Sequence, residues 1–354
     1  MSSRLSTASH ADLLATVSRI IPPLLESFYK GQAGRIAVVG GCEEYVDFEW
    51  ILFMMPGFNQ YSYIIFFFFS YTGAPFFSAI AATVLGADMS HVICERNAGT
   101  VIKTYSPNLM VHPYLLDSSS IDITNRSDSI EKTLKKVNSL LDRVHVVVVG
   151  PGLGRDEVLL ETATKIIEEV RRRSMPIVID ADGLYLVQNN PDVIKGYRNA
   201  VLTPNVVEFK RLKSAVGLPE SSTVKELAIK FGGLTILEKG REDLISNGTT
   251  TLKSKVHGGL KRVSGQGDTL SGTLATFLAW KLAFQNNLWE HKDESISEED
   301  LFLLAAYGAS TITRHASRKA FELHGRGVLT SHISDQVGTA YADLFEPLVK
   351  QSNI

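Results

Sequence analysis

The chain has 354 residues, 44% of them apolar, and a formal net charge of −2, with Lys/Arg and Asp/Glu interspersed. This describes a globular chain of one large domain or two small ones, and the balanced charge excludes a polybasic surface for nucleic acid or membrane. Its two cysteines, Cys42 and Cys94, are far apart and lack a CxxC partner, which excludes a disulfide framework or zinc site and suits a reducing compartment such as the cytoplasm.

Met1–Asp12 lacks the apolar core of a secretory signal. Leu13, Leu14, Val17, Ile20 and Ile21 recur at helical spacing until Pro22-Pro23, so residues 1–33 are expected to form a helical extension ahead of a domain over 34–350. The β-branched run Arg35–Val39 ends in Gly40-Gly41, the pattern of a buried parallel strand feeding a loop.

Residues 46–70 break the pattern. They read VDFEWILFMMPGFNQYSYIIFFFFS, with ten aromatics in 25 positions and no charge after Glu49. The length suits a membrane span, but Pro56, Gly57, Asn59 and Gln60 interrupt its middle and no basic flank sets an orientation. The Phe66–Ser70 run matches a translated pyrimidine tract ending in AG, and the Val46 codon supplies a GT. The segment is therefore expected to be an in-frame retained intron, a hypothesis that transcripts lacking it would support.

Beyond it the chain alternates. An Ala-rich helix opens at Tyr71–Pro75 and ends near Leu85. Strands follow at Ser90–Cys94 and Asn108–Leu115, then a polar loop over Asp117–Ser127 and an amphipathic helix over Ile130–Leu141. The strand Val144–Val149 ends in Gly150-Pro151-Gly152-Leu153-Gly154 and leads into a helix over Glu157–Arg172. Pro176–Asp180, Ala200–Leu202 and Leu234–Lys239 repeat the strand pattern, and Leu244–Leu252 reads as a hairpin around Asn247-Gly248. The acidic Asp293–Asp300 reads as a solvated loop before a helix over Leu301–Ala316. This alternation predicts an α/β fold: a central, mostly parallel sheet with helices on both faces. Ligands in such sheets sit beyond the carboxyl ends of the strands, where Gly40, Gly154, Asp180, Asn205, Lys239 and Asp268 all fall.

The most informative stretch is Gly258–Gly272, GGLKRVSGQGDTLSG, which precedes the apolar run Leu270–Leu282. Gly265–Asp268 is expected to form the first turn of a buried helix, a site for phosphate oxygens because unpaired N–H groups and the helix dipole favour an anion. A carboxylate there would repel phosphate unless it takes a proton from an attacking hydroxyl. The alternative is an ordinary N-cap Asp.

Taken together, GRIAVVGG, YTGAPFFSA, VVVVGPGLGRDE, PIVIDADGL, LTPNVVEFKRL, LEKGREDLI and GGLKRVSGQGDTLSG resemble the eukaryotic ATP-dependent NAD(P)H-hydrate dehydratases, which have a ribokinase-like fold. The resemblance implies phosphorylation by ATP of the hydroxyl on a hydrated nicotinamide ring. Expulsion of phosphate then restores NADH or NADPH. It implies Asp268 as the base and Gly265, Gln266 and Gly267 as the anion hole. ATP would lie against Lys239, Gly240, Arg241, Glu242 and Asp243, and against Gly258, Gly259, Leu260, Lys261, Arg262, Val263, Ser264, Gly265, Gln266 and Gly267. The hydrated dinucleotide would meet Gly154, Asn205, Val206, Val207, Glu208, Phe209, Lys210, Arg211 and Asp268. Mg²⁺ is expected with ATP, although no ligand cluster is legible.

Asn205 and Glu208 also fit a helix-capping pair. Asp180 and Asp182 fit either a helix cap, the favoured reading, or carboxylates that orient Mg²⁺ through water. The resemblance further implies a separate hydrate epimerase as functional partner, and leaves homo-oligomerisation open. Val206 departs from the family pattern, which has His there. Two other readings remain: a small-molecule alcohol kinase on the same fold, and an isoform inactivated by residues 46–70.

Overall fold

The structure, a computed structural model, describes residues 4–47, 66–291 and 296–352. Nine strands form the main sheet: β1 (Arg35–Val39), β4 (Met89–Glu95), β5 (Met110–Leu115), β6 (Val146–Val149), β7 (Ile177–Ile179), β8 (Ala200–Leu202), β9 (Thr235–Glu238), β10 (Asp243–Ser246) and β11 (Thr251–Ser254). Two more, β2 (Glu43–Asp47) and β3 (Phe66–Ser70), form a separate antiparallel ribbon. The order across the main sheet is β11-β10-β9-β8-β7-β6-β1-β4-β5. The pairs from β9 through β5 are parallel, and the β10–β11 hairpin adds an antiparallel edge with Ser246 opposite Thr251.

Successive strand residues point to opposite faces, and each face builds its own core. Ile36, Val38, Val92, Val146, Val148, Val178 and Val201 pack under the helices Gly73–Leu85, Gln266–Gln285 and Glu298–His324. Ala37, Val39, Ile93, Val147, Val149, Ile177, Ile179 and Leu202 pack under the helices Arg126–Leu141, Glu157–Arg172 and Val206–Ala215. The N-terminal helix His10–Ser18 sends Leu13, Leu14 and Val17 into the first core, and His10 Nδ1 lies 2.7 Å from the Tyr307 hydroxyl.

The helix Gln266–Gln285 is buried on every side from Asp268 to Lys281. A Cβ on its Gly272 would lie 1.9 Å from the Ser78 carbonyl oxygen, so only glycine lets it lie so close to the Gly73–Leu85 helix. Ser271 and Ser78 hydroxyls meet there at 3.0 Å.

Some elements differ from expectation. A helix over Arg96–Tyr105, with Glu95 accepting from the N–H groups of Asn97 and Ala98, occupies a stretch with no predicted element. The expected loop over Asp117–Ser127 contains two 3₁₀ turns, and its last residues already belong to the Arg126–Leu141 helix. Glu298, Glu299 and Asp300 form the first turn of the long helix capped by Ser297, where acidic side chains favour the dipole.

The interior of the 46–70 segment, residues 48–65, lies outside the described residues. Its roots are adjacent: Glu43 pairs with Ser70, and the Tyr71 N–H donates to the Cys42 carbonyl at 2.9 Å. The Gly41 N–H donates to the Gly152 carbonyl at 2.8 Å, so these roots emerge beside the Gly150–Gly154 loop, at the carboxyl end of the sheet. Among the described residues no helix is long and apolar enough to cross a membrane. Cys42 and Cys94 are both buried.

Candidate active site

The carboxyl ends of β7, β8 and β9 converge on the start of the Gln266–Gln285 helix. Asn205 and Lys239 form a parallel bridge, and the Lys239 N–H donates to the Pro204 carbonyl at 2.8 Å. Lys239 Nζ reaches across to Asp180 Oδ1 at 2.7 Å, and the Asp180 side chain is only 2% exposed. A Cβ on Gly267 would lie 3.4 Å from that Nζ and 3.8 Å from Asp180 Oδ2. The helix N-terminus thus opens directly against a buried ion pair.

Gly265 is the N-cap and sits in left-handed backbone (φ +92°), a conformation suited to glycine, where a Cβ would also lie 2.8 Å from Thr330 Cγ2. Asp268 is therefore the third helical residue, within the first turn, and the plain N-cap alternative does not hold. Its carboxyl is pushed up to about 8, first by burial and then by the Asp180 charge, with Lys239 opposing and Asp182 adding. A carboxyl so placed exchanges a proton near neutral pH, which general-base work requires. Burial disfavours the charge on Lys239, but the Asp180 and Glu208 carboxylates outweigh it and hold the ammonium above the usual lysine value.

Asp180 and Asp182 do not cap the helix after β7. That helix, Asp182–Asn189, has Ala181 as its N-cap and no side-chain capping bond. Asp182 instead accepts from the Gly154 N–H at 3.0 Å, fixing the Gly150–Gly154 loop, while Asp180 holds Lys239. The preference for a capping role is corrected accordingly: the pair organises the site. Asn205 and Glu208 do form a reciprocal capping box. Asn205 Oδ1 accepts from Val207 and Glu208 N–H at 2.9 and 3.0 Å, and Glu208 Oε2 accepts from Asn205 N–H at 2.7 Å. Burial raises the Glu208 carboxyl, Lys239 and the Asn205 N–H oppose, and Asp180 and Asp182 add to the rise.

A cavity of about 710 Å³ opens here. From the expected residues it gathers Asn205, Val206 and Val207, then Lys239, Gly240, Arg241 and Asp243, and Arg262, Val263, Gln266 and Gly267. A smaller one, about 110 Å³, is lined by Glu208 and Arg211 together with Arg155, Asp182, Tyr185 and Gln188, the Arg155 guanidinium lying 4.5 Å from the Tyr185 ring centre.

Other expected residues line neither cavity. Phe209 is a core residue at 4% exposure, Lys210 pairs with Glu220 at 2.6 Å, and Glu242 pairs with Lys253. Gly258 lies against Arg314, and Gly259 donates its N–H to Ser317 Oγ at 3.3 Å. Leu260 is 86% exposed, Lys261 Nζ donates to the Arg326 and Val328 carbonyls, and the Ser264 carbonyl accepts from Thr330 Oγ1. Gly154, Gly265 and Asp268 also line neither cavity, and Asp268 is buried in the first helical turn.

Sequence reasoning missed Leu270, Ser310, Thr313 and Arg314 in the main cavity wall. The signal was present: Ser310, Thr313, Arg314 and Ser317 follow one another at helical spacing within an otherwise apolar run. Among the described residues no group of three or more His, Cys, Asp or Glu is placed to hold a metal ion by itself.

Comparison with known proteins identifies the family. The family model described as NAD(P)H-hydrate dehydratase matches residues 65–338, starting inside the aromatic segment. A protein of Phaeosphaeria nodorum named ATP-dependent (S)-NAD(P)H-hydrate dehydratase is 46% identical over 345 residues, 96% of this chain and 97% of the relative. One of the same name from Schizosaccharomyces pombe is 43% identical over 95% of this chain and 94% of its own. Two solved structures share the fold. A ribokinase-like superfamily protein of Enterococcus faecalis has TM-score 0.64 at 21% identity, over 96% of each chain. The Bacillus subtilis ADP/ATP-dependent NAD(P)H-hydrate dehydratase, co-crystallised with ATP/Mg²⁺, has TM-score 0.58 at 16% identity, over 94% of this chain and 97% of its own. The chain belongs to the NAD(P)H-hydrate dehydratase family, on a ribokinase-like α/β fold.

Proposed function

We propose that this chain carries out the ATP-dependent dehydration of the S form of NAD(P)H hydrate, returning NADH or NADPH with release of ADP and phosphate. The observation that carries this reading is Asp268, buried in the first turn of the Gln266–Gln285 helix beside Gly267, Lys239 and Asp180.

The hydrate's hydroxyl is a poor leaving group. Asp268 takes its proton as the oxygen attacks the γ-phosphorus of ATP, and ADP departs. The ring nitrogen lone pair then expels the new phosphate ester as phosphate, and loss of a proton from the neighbouring ring carbon restores the double bond. The N–H groups at Gly265–Gly267 and the Lys239 ammonium face the transferring group, where each preorganised donor is worth on the order of 10²–10³ in rate. ATP occupies the larger cavity, against Lys239, Gly240, Arg241, Asp243, Arg262, Val263, Gln266 and Gly267, and the dinucleotide extends along Asn205–Val207 toward Arg211 and the Gly154 loop.

Mg²⁺ fits as an ion carried in on the ATP phosphates. Such an ion keeps most of its water and phosphate ligands and needs only one or two carboxylates from the protein. Hydration of the ring yields two stereoisomers, so an epimerase on a separate protein would convert the other form into substrate. We place the chain in the cytoplasm, a reducing compartment that suits two cysteines with no CxxC pairing.

The test is to give the purified chain hydrate, ATP and Mg²⁺. Reduced-nicotinamide absorbance returns with one free phosphate per turnover. A stable phosphoester with no return of absorbance would mean an alcohol kinase instead.

A further inference from the structure

We infer that Arg314 is a positioning residue for the nucleotide: a buried fork that locks the two ATP-facing loops to one helix and does not itself touch phosphate. This rests on the reading of the larger cavity as the ATP site. Arg314 belongs to the helix Glu298–His324 and reaches the cavity wall, where a cation would ordinarily be taken for a phosphate ligand. Its donors are already committed. Nε donates to Asp243 Oδ2 at 2.8 Å. Nη1 donates to the Arg241 and Val256 carbonyls at 2.9 and 3.1 Å. Nη2 donates to the Gly240 carbonyl at 2.7 Å and to Asp243 Oδ1. Guanidinium has five N–H groups, and each has an acceptor within the protein, leaving none for a ligand.

These acceptors define what the fork does. Gly240, Arg241 and Asp243 form the turn after Lys239, and Val256 begins the approach to the Gly258–Gly267 loop. The same helix face adds two bonds: Ser310 Oγ donates to Asp243 Oδ2 at 2.8 Å, and Ser317 Oγ accepts from the Gly259 N–H at 3.3 Å. Asp243 in turn accepts from the Gly240 N–H at 3.0 Å. Both charged side chains are 7% exposed, so removing one partner leaves the other buried and unpaired. Asp268 stands on another helix, and Lys239, although it adjoins Gly240, is anchored independently by its bridge to Asn205 and by Asp180, so their geometry is expected to survive loss of the fork. The fork therefore governs how well ATP is held more than how fast bound ATP reacts.

The test uses Arg314→Lys and Arg314→Met in the full chain, with Arg318→Gln, an exposed partner of Glu322 one turn further on, as control. KM for ATP should rise about tenfold or more in Arg314→Met and less in Arg314→Lys, while kcat at saturating ATP and KM for hydrate stay within about threefold. Calorimetric binding of a non-hydrolysable ATP analogue should weaken in parallel. That readout needs no hydrate turnover, so it separates failure of this inference from failure of the dehydratase assignment. If Arg314→Met does not fold, Arg314→Lys and Ser317→Ala carry the same comparison. Unchanged analogue affinity in the folded variants overturns the inference, as does a loss of kcat with KM for ATP unmoved.

Discussion

Lys239 Nζ and Asp180 Oδ1 lie 2.7 Å apart directly beside Gly267, so the ammonium at this helix N-terminus is held by a carboxylate that also acts on Asp268. Asp180→Asn should therefore have two effects. Lys239 loses the anchor that aims it, and turnover falls by about tenfold to a hundredfold. Asp268 loses a negative neighbour that raises its carboxyl, so it ionises more readily. The acid limb of the kcat/KM–pH profile should then move to lower pH. A limb that stays in place would show that Asp180 and Asp268 do not communicate.

Two glycines of the anion-binding turn should separate when each is changed to alanine. Gly265 has φ +92°, so Gly265→Ala should destabilise the fold by about 1–2 kcal/mol, read as a lower unfolding midpoint. At Gly267 the added methyl meets Lys239 and Asp180 at ordinary contact distances, so the fold should survive. The methyl would stand where the phosphoryl group passes, and turnover should fall by up to about a hundredfold. Equal effects of the two substitutions on both stability and rate would contradict this division.

The adjacent roots of the aromatic segment make its removal testable. Deleting residues 46–70 leaves Glu43-Glu44-Tyr45 to span a gap already closed by the Cys42–Tyr71 hydrogen bond. The shortened chain should fold and turn over hydrate at least as fast as the full chain. Failure to fold would show that the segment is integral. Transcripts carrying only the long form would count against its being a retained intron.

The sheet strands were legible because each is a short apolar run ending in Gly, Asp or Asn, and the buried Gln266–Gln285 helix because a glycine turn precedes a long apolar stretch. The Arg96–Tyr105 helix was not, since its cap is Glu95, a strand residue whose carboxylate turns back on the next two N–H groups. Within the site, the motifs pointed to Gly267, Lys239 and Asn205–Val207, which the structure gathers around one cavity. Lys261 is different: the resemblance places it in the ATP-binding loop, yet its ammonium is tied to the Arg326 and Val328 carbonyls. For Arg314 the polar helical spacing was a signal, but its role was not legible, because its partners come from β10 and the loops on either side of the hairpin, more than fifty residues away in sequence.

Burial of Asp268 has a stability signature. The folded chain holds this proton up to about pH 8, whereas the unfolded chain loses it near 3.8. The contribution is full below the unfolded value and is lost as pH rises through the folded one. Asp268→Asn removes this dependence. Its unfolding midpoint should exceed that of the parent chain by a margin that widens from about pH 5 to about pH 8. A constant margin would mean that the carboxyl does not titrate in that window.

The most direct measurement is turnover of the S hydrate by Asp268→Asn at saturating ATP and Mg²⁺. The asparagine keeps the shape but cannot take the hydroxyl proton. The rate should fall by about 10²–10⁴ while affinity for a non-hydrolysable ATP analogue stays near that of the parent chain. Turnover at the parent rate would contradict the role assigned to Asp268 and the mechanism built on it.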